Sequence, residues 1–236
     1  DELRSRLIAA IVALVPAFVI AFYFHEEVIE WLTGPLPEDK RLVTLGVTEP
    51  FTTSVMVSVV VAIALVLPVL LWQIWAFLAP AMAPRFERVA LFFAAIATGL
   101  FACGVVFMYY VVLPRALDFL TSYDEELYDI QIRASYYYNF VALLLLGGGI
   151  AFLLPIFVLA LVRLRVLTSR RLRENRRYAF VILLVFAALL PTVDPVSLAF
   201  EIIPLMLLFE LSIWLSAFME RRWQPAWDRE LAELDL

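Results

Sequence analysis

The chain offers one cysteine, Cys103, and one histidine, His25. A disulfide within the chain and a multi-cysteine metal site are therefore excluded, and a histidine-based metal site or catalytic triad has no residues to build it. No HExxH or GxSxG pattern occurs, and no acids stand paired at catalytic spacing. These absences argue against an intramembrane enzyme. No catalytic residue, metal ligand or cofactor is assigned. A basic stripe with interleaved aromatics is missing too, so nucleic acid is not an expected partner. No internal repeat is visible, which weighs against an inverted-repeat transporter. The chain begins at Asp1 without methionine, so preceding residues are expected. A cleavable signal peptide is not expected, because the first apolar run is too long and no small-residue cleavage site follows it.

What the chain has in abundance is apolar sequence. Of its 236 residues, 64% are hydrophobic, and the mean hydropathy is +0.92. Soluble domains sit nearer about half apolar. Runs of about twenty apolar residues are long enough to cross the roughly 30 Å hydrocarbon core of a bilayer. The polar segments between these runs alternate in charge. Arginines 4, 6, 85, 88, 163, 165, 170, 171, 173, 176, 177, 221, 222 and 229 fall in alternate segments, 14 of the 18 basic residues. The other segments hold only Lys40, Arg41, Arg115 and Arg133 among many acids. Basic loops stay on the cytoplasmic side. The reading is an all-α membrane protein with six transmembrane helices and both termini in the cytoplasm, placed in the cytoplasmic membrane.

The first span is expected over 7–24, with Pro16 inside, and "HEEVIEWL" after it as a short interfacial helix with Trp31 at headgroup level. The second is expected over 51–78, the third over 89–113 and the fourth over 140–162. An outer segment over 114–135 separates the third from the fourth. Gly147, Gly148 and Gly149 expose bare backbone for close helix approach. The fifth run, 178–190, would reach only roughly 20 Å at 1.5 Å per residue. The sixth starts near Val196 after the "PTVDP" turn. Residues 1–219 are expected to form the membrane domain and 220–236 a cytoplasmic tail.

Several stretches, taken in order, resemble a known family. "ELRSRL" (Glu2–Leu7), "TEPF" (Thr48–Phe51), "LPVLLWQIWAFLAPAM" (Leu67–Met82), "FMYYVVLPRALDFL" (Phe107–Leu120), "ASYYYNF" (Ala134–Phe140) and "IIPLMLLFELSIWL" (Ile202–Leu215) are similar to motifs of TatC, the core subunit of the twin-arginine protein translocase. The resemblance covers nearly the whole chain. It implies six helices in a concave arrangement with the last two short. It also implies recognition of twin-arginine signal peptides and export of folded proteins driven by the proton-motive force. The implied partners are those signal peptides, TatA-type and TatB-type single-span subunits, membrane lipids, and further copies of the chain within a larger complex. The competing reading from six spans and buried acids is a proton-coupled small-molecule transporter.

The resemblance points to Glu2 and Glu87 as carboxylates for the two guanidinium groups of a signal peptide. Paired, charge-assisted contacts suit that ligand. Helix N-terminal placement or pairing with a nearby arginine is the plain structural alternative. "APRFER" carries one residue more before Glu87 than the family's usual pattern. Arg4 stands beside these acids, and anchoring to headgroups accounts for it; a part in the field of the pocket is its functional reading. Glu49 and Pro50, in the motif before the second helix, are expected to cap the far side of the cavity. Asp194, Glu201 and Glu210 are costly intramembrane acids that need a partner or water. Glu201 and Glu210 stand nine residues apart, about 900° around a helix, and so face opposite sides. Two positions depart from the family: Leu153 and Leu198 stand where polar residues are common.

Overall fold

A computed structural model of the chain describes residues 2–37, 40–78, 87–123, 130–164, 166–189 and 195–234; for 2–7, 75, 77–78, 87–90, 195–197 and 221–234 the description is of backbone alone. The described residues form ten α-helices, one π-helical turn and two very short strands. In order they are α1 (Glu2–Tyr23), α2 (His25–Thr33), β1 (Leu42–Val43), α3 (Glu49–Leu78), α4 (Glu87–Phe107), the π turn Met108–Val112, α5 (Leu113–Ser122), β2 (Ile132–Arg133), α6 (Ala134–Ala151), α7 (Leu154–Arg163), α8 (Ser169–Glu174), α9 (Arg176–Leu189) and α10 (Pro195–Leu234).

Helix is the form an apolar chain takes in lipid, because it satisfies every backbone group within the segment. Four stretches are long and apolar enough to cross a membrane: Glu49–Ile74, Leu91–Ser122, Ala134–Arg163 and Leu198–Glu220. A fifth is reached if Ile8–Tyr23 and His25–Thr33 count as one span bent by 70°. That bend is the expected break between a first helix and an interfacial one. Helix α9 has only 14 residues, roughly 21 Å of rise, as short as its sequence implied.

Two boundaries differ from expectation. The third span does not stop at Leu113; it continues through the π turn and α5 to Ser122. Pro114 sits in the first turn of α5, where its missing N–H costs nothing. The fourth begins at Ala134, six residues earlier than Phe140, and breaks at Phe152–Leu153 just before Pro155. The helix that carries the sixth run has its apolar stretch over Leu198–Glu220, and its backbone continues as one helix to Leu234.

Small residues bring the helices together, as they must where lipid is as apolar as leucine. Ala17 and Ala21 of α1 pack with Ala62 and Val66 of α3. A second cluster joins α3, α4 and α7 through Leu67, Leu71, Ala97, Phe101 and Ile156. A third joins α7, α9 and α10 through Val162, Leu183, Ala187, Leu205 and Ile213. The glycine expectation holds at two positions. A Cβ on Gly149 would lie 2.6 Å from Phe101, and one on Gly148 would run into the Met108 side chain.

Candidate functional site

At the end of the bundle where α3 and α6 begin, the two connecting segments are tied together by one carboxylate. Glu49 is the first residue of α3 and is 5% exposed. Its Oε2 accepts from the backbone N–H groups of Leu45 (2.9 Å) and Gly46 (3.2 Å). Its Oε1 accepts from Arg133 Nε (2.8 Å) and from the N–H of Ser135 (3.2 Å). An acid at a helix start is also favoured by the helix dipole. Beside it β1 and β2 pair in parallel, Leu42 with Ile132 and Val43 with Arg133. The Arg133 guanidinium lies 5.4 Å from the Tyr136 ring centre, and the Glu49 hydrogen bond holds it above its ordinary pKa. Pro50, next in α3, is exposed.

The short helix α2 is held at the same end by three tyrosines. The last carbonyls of a helix have no partner within it. Here Tyr109 donates to the Trp31 carbonyl (2.6 Å) and Tyr137 to the Leu32 carbonyl (2.8 Å). The hydroxyls of Thr33 and Tyr138 share a further bond of 2.9 Å. The rings of Trp31 and Tyr109 stack with centres 4.0 Å apart. The tyrosine run 136–138 therefore contributes two anchors for α2.

The opposite end carries the arginines. Helices α1 and α4 start there, since each runs antiparallel to its neighbour α3, so the backbones of Glu2, Arg4 and Glu87 lie in first turns at that end. Between α7 and α9, residues 168–174 are ordered by local bonds. Thr168 caps α8 by accepting from the Arg171 N–H (3.3 Å), and Arg170 pairs with Glu174 at 2.8 Å. The Ser169 N–H donates to Glu220 at 3.1 Å, which ties α8 to α10.

The intramembrane acids separate as the helical angle requires. Glu201 is wholly buried, whereas Glu210 is 36% exposed and pairs with Arg176 of α9 at 2.9 Å. Asp194 lies outside the described residues. Leu153 is 3% exposed and belongs to the apolar α3–α4–α7 cluster. Leu198 packs against the cluster joining α7, α9 and α10. Apolar side chains therefore occupy both positions where polar groups are common. Sequence reasoning gave Glu49 no partner; Arg133 was visible only as one of four basic residues on the acidic side.

The chain matches the family described as Sec-independent protein translocase protein (TatC) over residues 1–204. It is 34% identical to the Sec-independent protein translocase protein TatCd of Bacillus subtilis (strain 168) over 222 residues, 94% of this chain and 91% of that one. It is 33% identical to TatC of Haemophilus influenzae (strain ATCC 51907 / DSM 11121 / KW20 / Rd) over 223 residues, 93% of this chain and 87% of the relative. A crystal structure of the twin arginine translocase receptor TatC in DDM superposes with a TM-score of 0.83 at 35% identity, covering 91% of this chain and 97% of that one. Fold, length and motif order thus agree over nearly the whole sequence, and the chain belongs to the TatC family.

Proposed function

We propose that this chain is the receptor subunit of a twin-arginine translocase, which binds twin-arginine signal peptides and helps export folded proteins using the proton-motive force. Family membership supports this reading over the proton-coupled transporter. The observation that carries the site is the shared placement of Glu2 and Glu87. Both stand in first turns at the arginine-rich end of the bundle. In the orientation proposed here, with six spans and both termini cytoplasmic, that end meets an arriving precursor.

The mechanism is local pairing against an unfavourable background. A basic face repels an arginine-bearing ligand, and screening weakens that repulsion beyond roughly 8 Å at physiological salt. Carboxylates at contact distance act inside that range, each accepting charge-assisted bonds from one guanidinium. Arg4 adds to the field around them. At the far end, Glu49 shapes the cap that closes the cavity, with Pro50 fixing the helix start behind it. TatA-type and TatB-type subunits and further copies of the chain complete the assembly. Glu210 and Asp194 are proposed as polar groups that span-facing partners meet, and Glu201, wholly buried, as a polar group inside the bundle.

A twin-arginine peptide carrying a photocrosslinker is expected to label the first turns of α1 and α4. Labelling unchanged by Glu2→Ala with Glu87→Ala would remove the site. Export of a folded twin-arginine reporter, restored by this chain in cells lacking their own TatC, tests the function itself. No export alongside proton-coupled solute uptake would favour the transporter.

A further inference from the structure

A polar notch opens where α3 and α6 begin, and nothing in the translocase reading uses it. It encloses about 420 Å³ and is lined by Thr52, Thr53, Arg133, Ser135, Tyr136 and Asn139, with Met56 below. Thr53 is 6% exposed, yet its Oγ1 has no hydrogen-bond partner among the described residues. A buried hydroxyl left this way is costly, and the notch leaves room for a group that supplies the missing bond. Asn139 lies five residues into α6, about 8 Å along the helix. Its amide is exposed and also makes no hydrogen bond among the described residues. Arg133 meets Glu49 through Nε, and among the described residues its two outer nitrogens make no hydrogen bond.

Donors dominate this lining. Among the described residues the one carboxylate beside it, Glu49, is already occupied by four N–H groups. The first turns of α3 and α6 add the positive ends of two helix dipoles. An oxyanion fits that environment. Below the notch the lining changes character along the same helical stripes. Thr53 is followed on α3 by Val57, Val60 and Ala64, and Asn139 on α6 by Ala142 and Leu146; these lower residues line an apolar hollow of about 250 Å³.

We propose that the α3/α6 seam is a phospholipid site: the phosphate ester of a headgroup is held by Arg133, Thr53 and Asn139, and an acyl chain runs into the apolar hollow beneath. A polar notch and an apolar hollow carried by the same two helices, the hollow walled also by Trp31 of α2 and Phe101 of α4, match one amphiphile better than a free anion or an apolar helix. The inference does not depend on signal-peptide recognition.

The test is native mass spectrometry of the full chain released from detergent. The probes are phosphatidylglycerol, a diacylglycerol with the same chains, and inorganic phosphate. Wild-type protein is expected to retain phosphatidylglycerol in preference to diacylglycerol. Thr53→Val combined with Asn139→Leu removes two hydrogen bonds to a charged group, so this preference should fall about tenfold or more, with diacylglycerol retention unchanged. Equal retention of the two lipids by wild-type protein would overturn the proposal. So would inorganic phosphate that displaces the phospholipid, which would mark a free-anion site. A photocrosslinker replacing exposed Tyr136 gives a second readout that leaves Thr53 and Asn139 intact. It should capture lipid; capture of a protein helix in its place would assign the seam to a partner subunit.

Discussion

Arg133 Nε donates to Glu49 Oε1 at 2.8 Å across 84 residues of sequence. This bond joins the segment after α2 to the segment before α6, and three backbone N–H groups converge on the same carboxylate. Glu49→Ala strands all four donors, whereas Glu49→Gln keeps an acceptor oxygen. Thermal unfolding in detergent, followed by tryptophan fluorescence, should rank wild type above Glu49→Gln and Glu49→Ala lowest. A Glu49→Gln midpoint equal to that of wild type would show that the charge and the second oxygen contribute nothing.

Tyr137→Phe removes the donor to the Leu32 carbonyl without changing the ring. The orphaned acceptor is buried, so the loss should be about 1–2 kcal/mol. Hydrogen exchange should rise in α2 and leave α10 unchanged. Tyr109→Phe should cost less, because the stack on Trp31 survives.

Substitutions in the glycine run should differ in cost. Gly149→Ala forces a methyl against Phe101 and Val105, both on α4. Gly148→Ala meets only the flexible Met108 side chain. Overpacking of this kind costs about 1–3 kcal/mol, with Gly149→Ala at the upper end. Denaturation of the two variants side by side checks the order.

Leu153→Glu restores an acid to a position where family members often carry one. Here that position is 3% exposed among Leu67, Leu71 and Ile156. A charge placed in the span costs about 3 kcal/mol on insertion scales. The variant should therefore be less stable, and Leu153→Gln should lose less. Detergent melting of both variants reads this directly.

Membrane location, helix order and the short fifth helix were legible because they follow from run length alone. The bend after Tyr23 was legible from the switch to "HEEVIEWL". The end of the third span was not. Pro114 reads as a stop, but a π turn immediately before it lets the helix resume with the proline in its first turn. The Tyr137–Leu32 bond could not be read either, because it spans 105 residues and no local pattern encodes such a pairing. For the candidate site, the family resemblance gave Glu2, Glu87 and Glu49 as positions. It could not give Glu49 its partners, which come from four separate points on the chain.

The parallel pairing of Leu42 with Ile132 and Val43 with Arg133 also fixes an order of events. Every bond that seals this end has one half before residue 50 and the other after residue 108. During synthesis, α1, α2 and α3 exist long before β2 and the start of α6. Bringing such distant segments together carries a loop-closure cost that must be met before their contacts form. The end therefore stays open until the fourth membrane rod has been made, and α2 is the last early element to find its seat. A chain stalled before Ala134 would hold three rods without the Tyr137 and Tyr138 contacts that close the mouth.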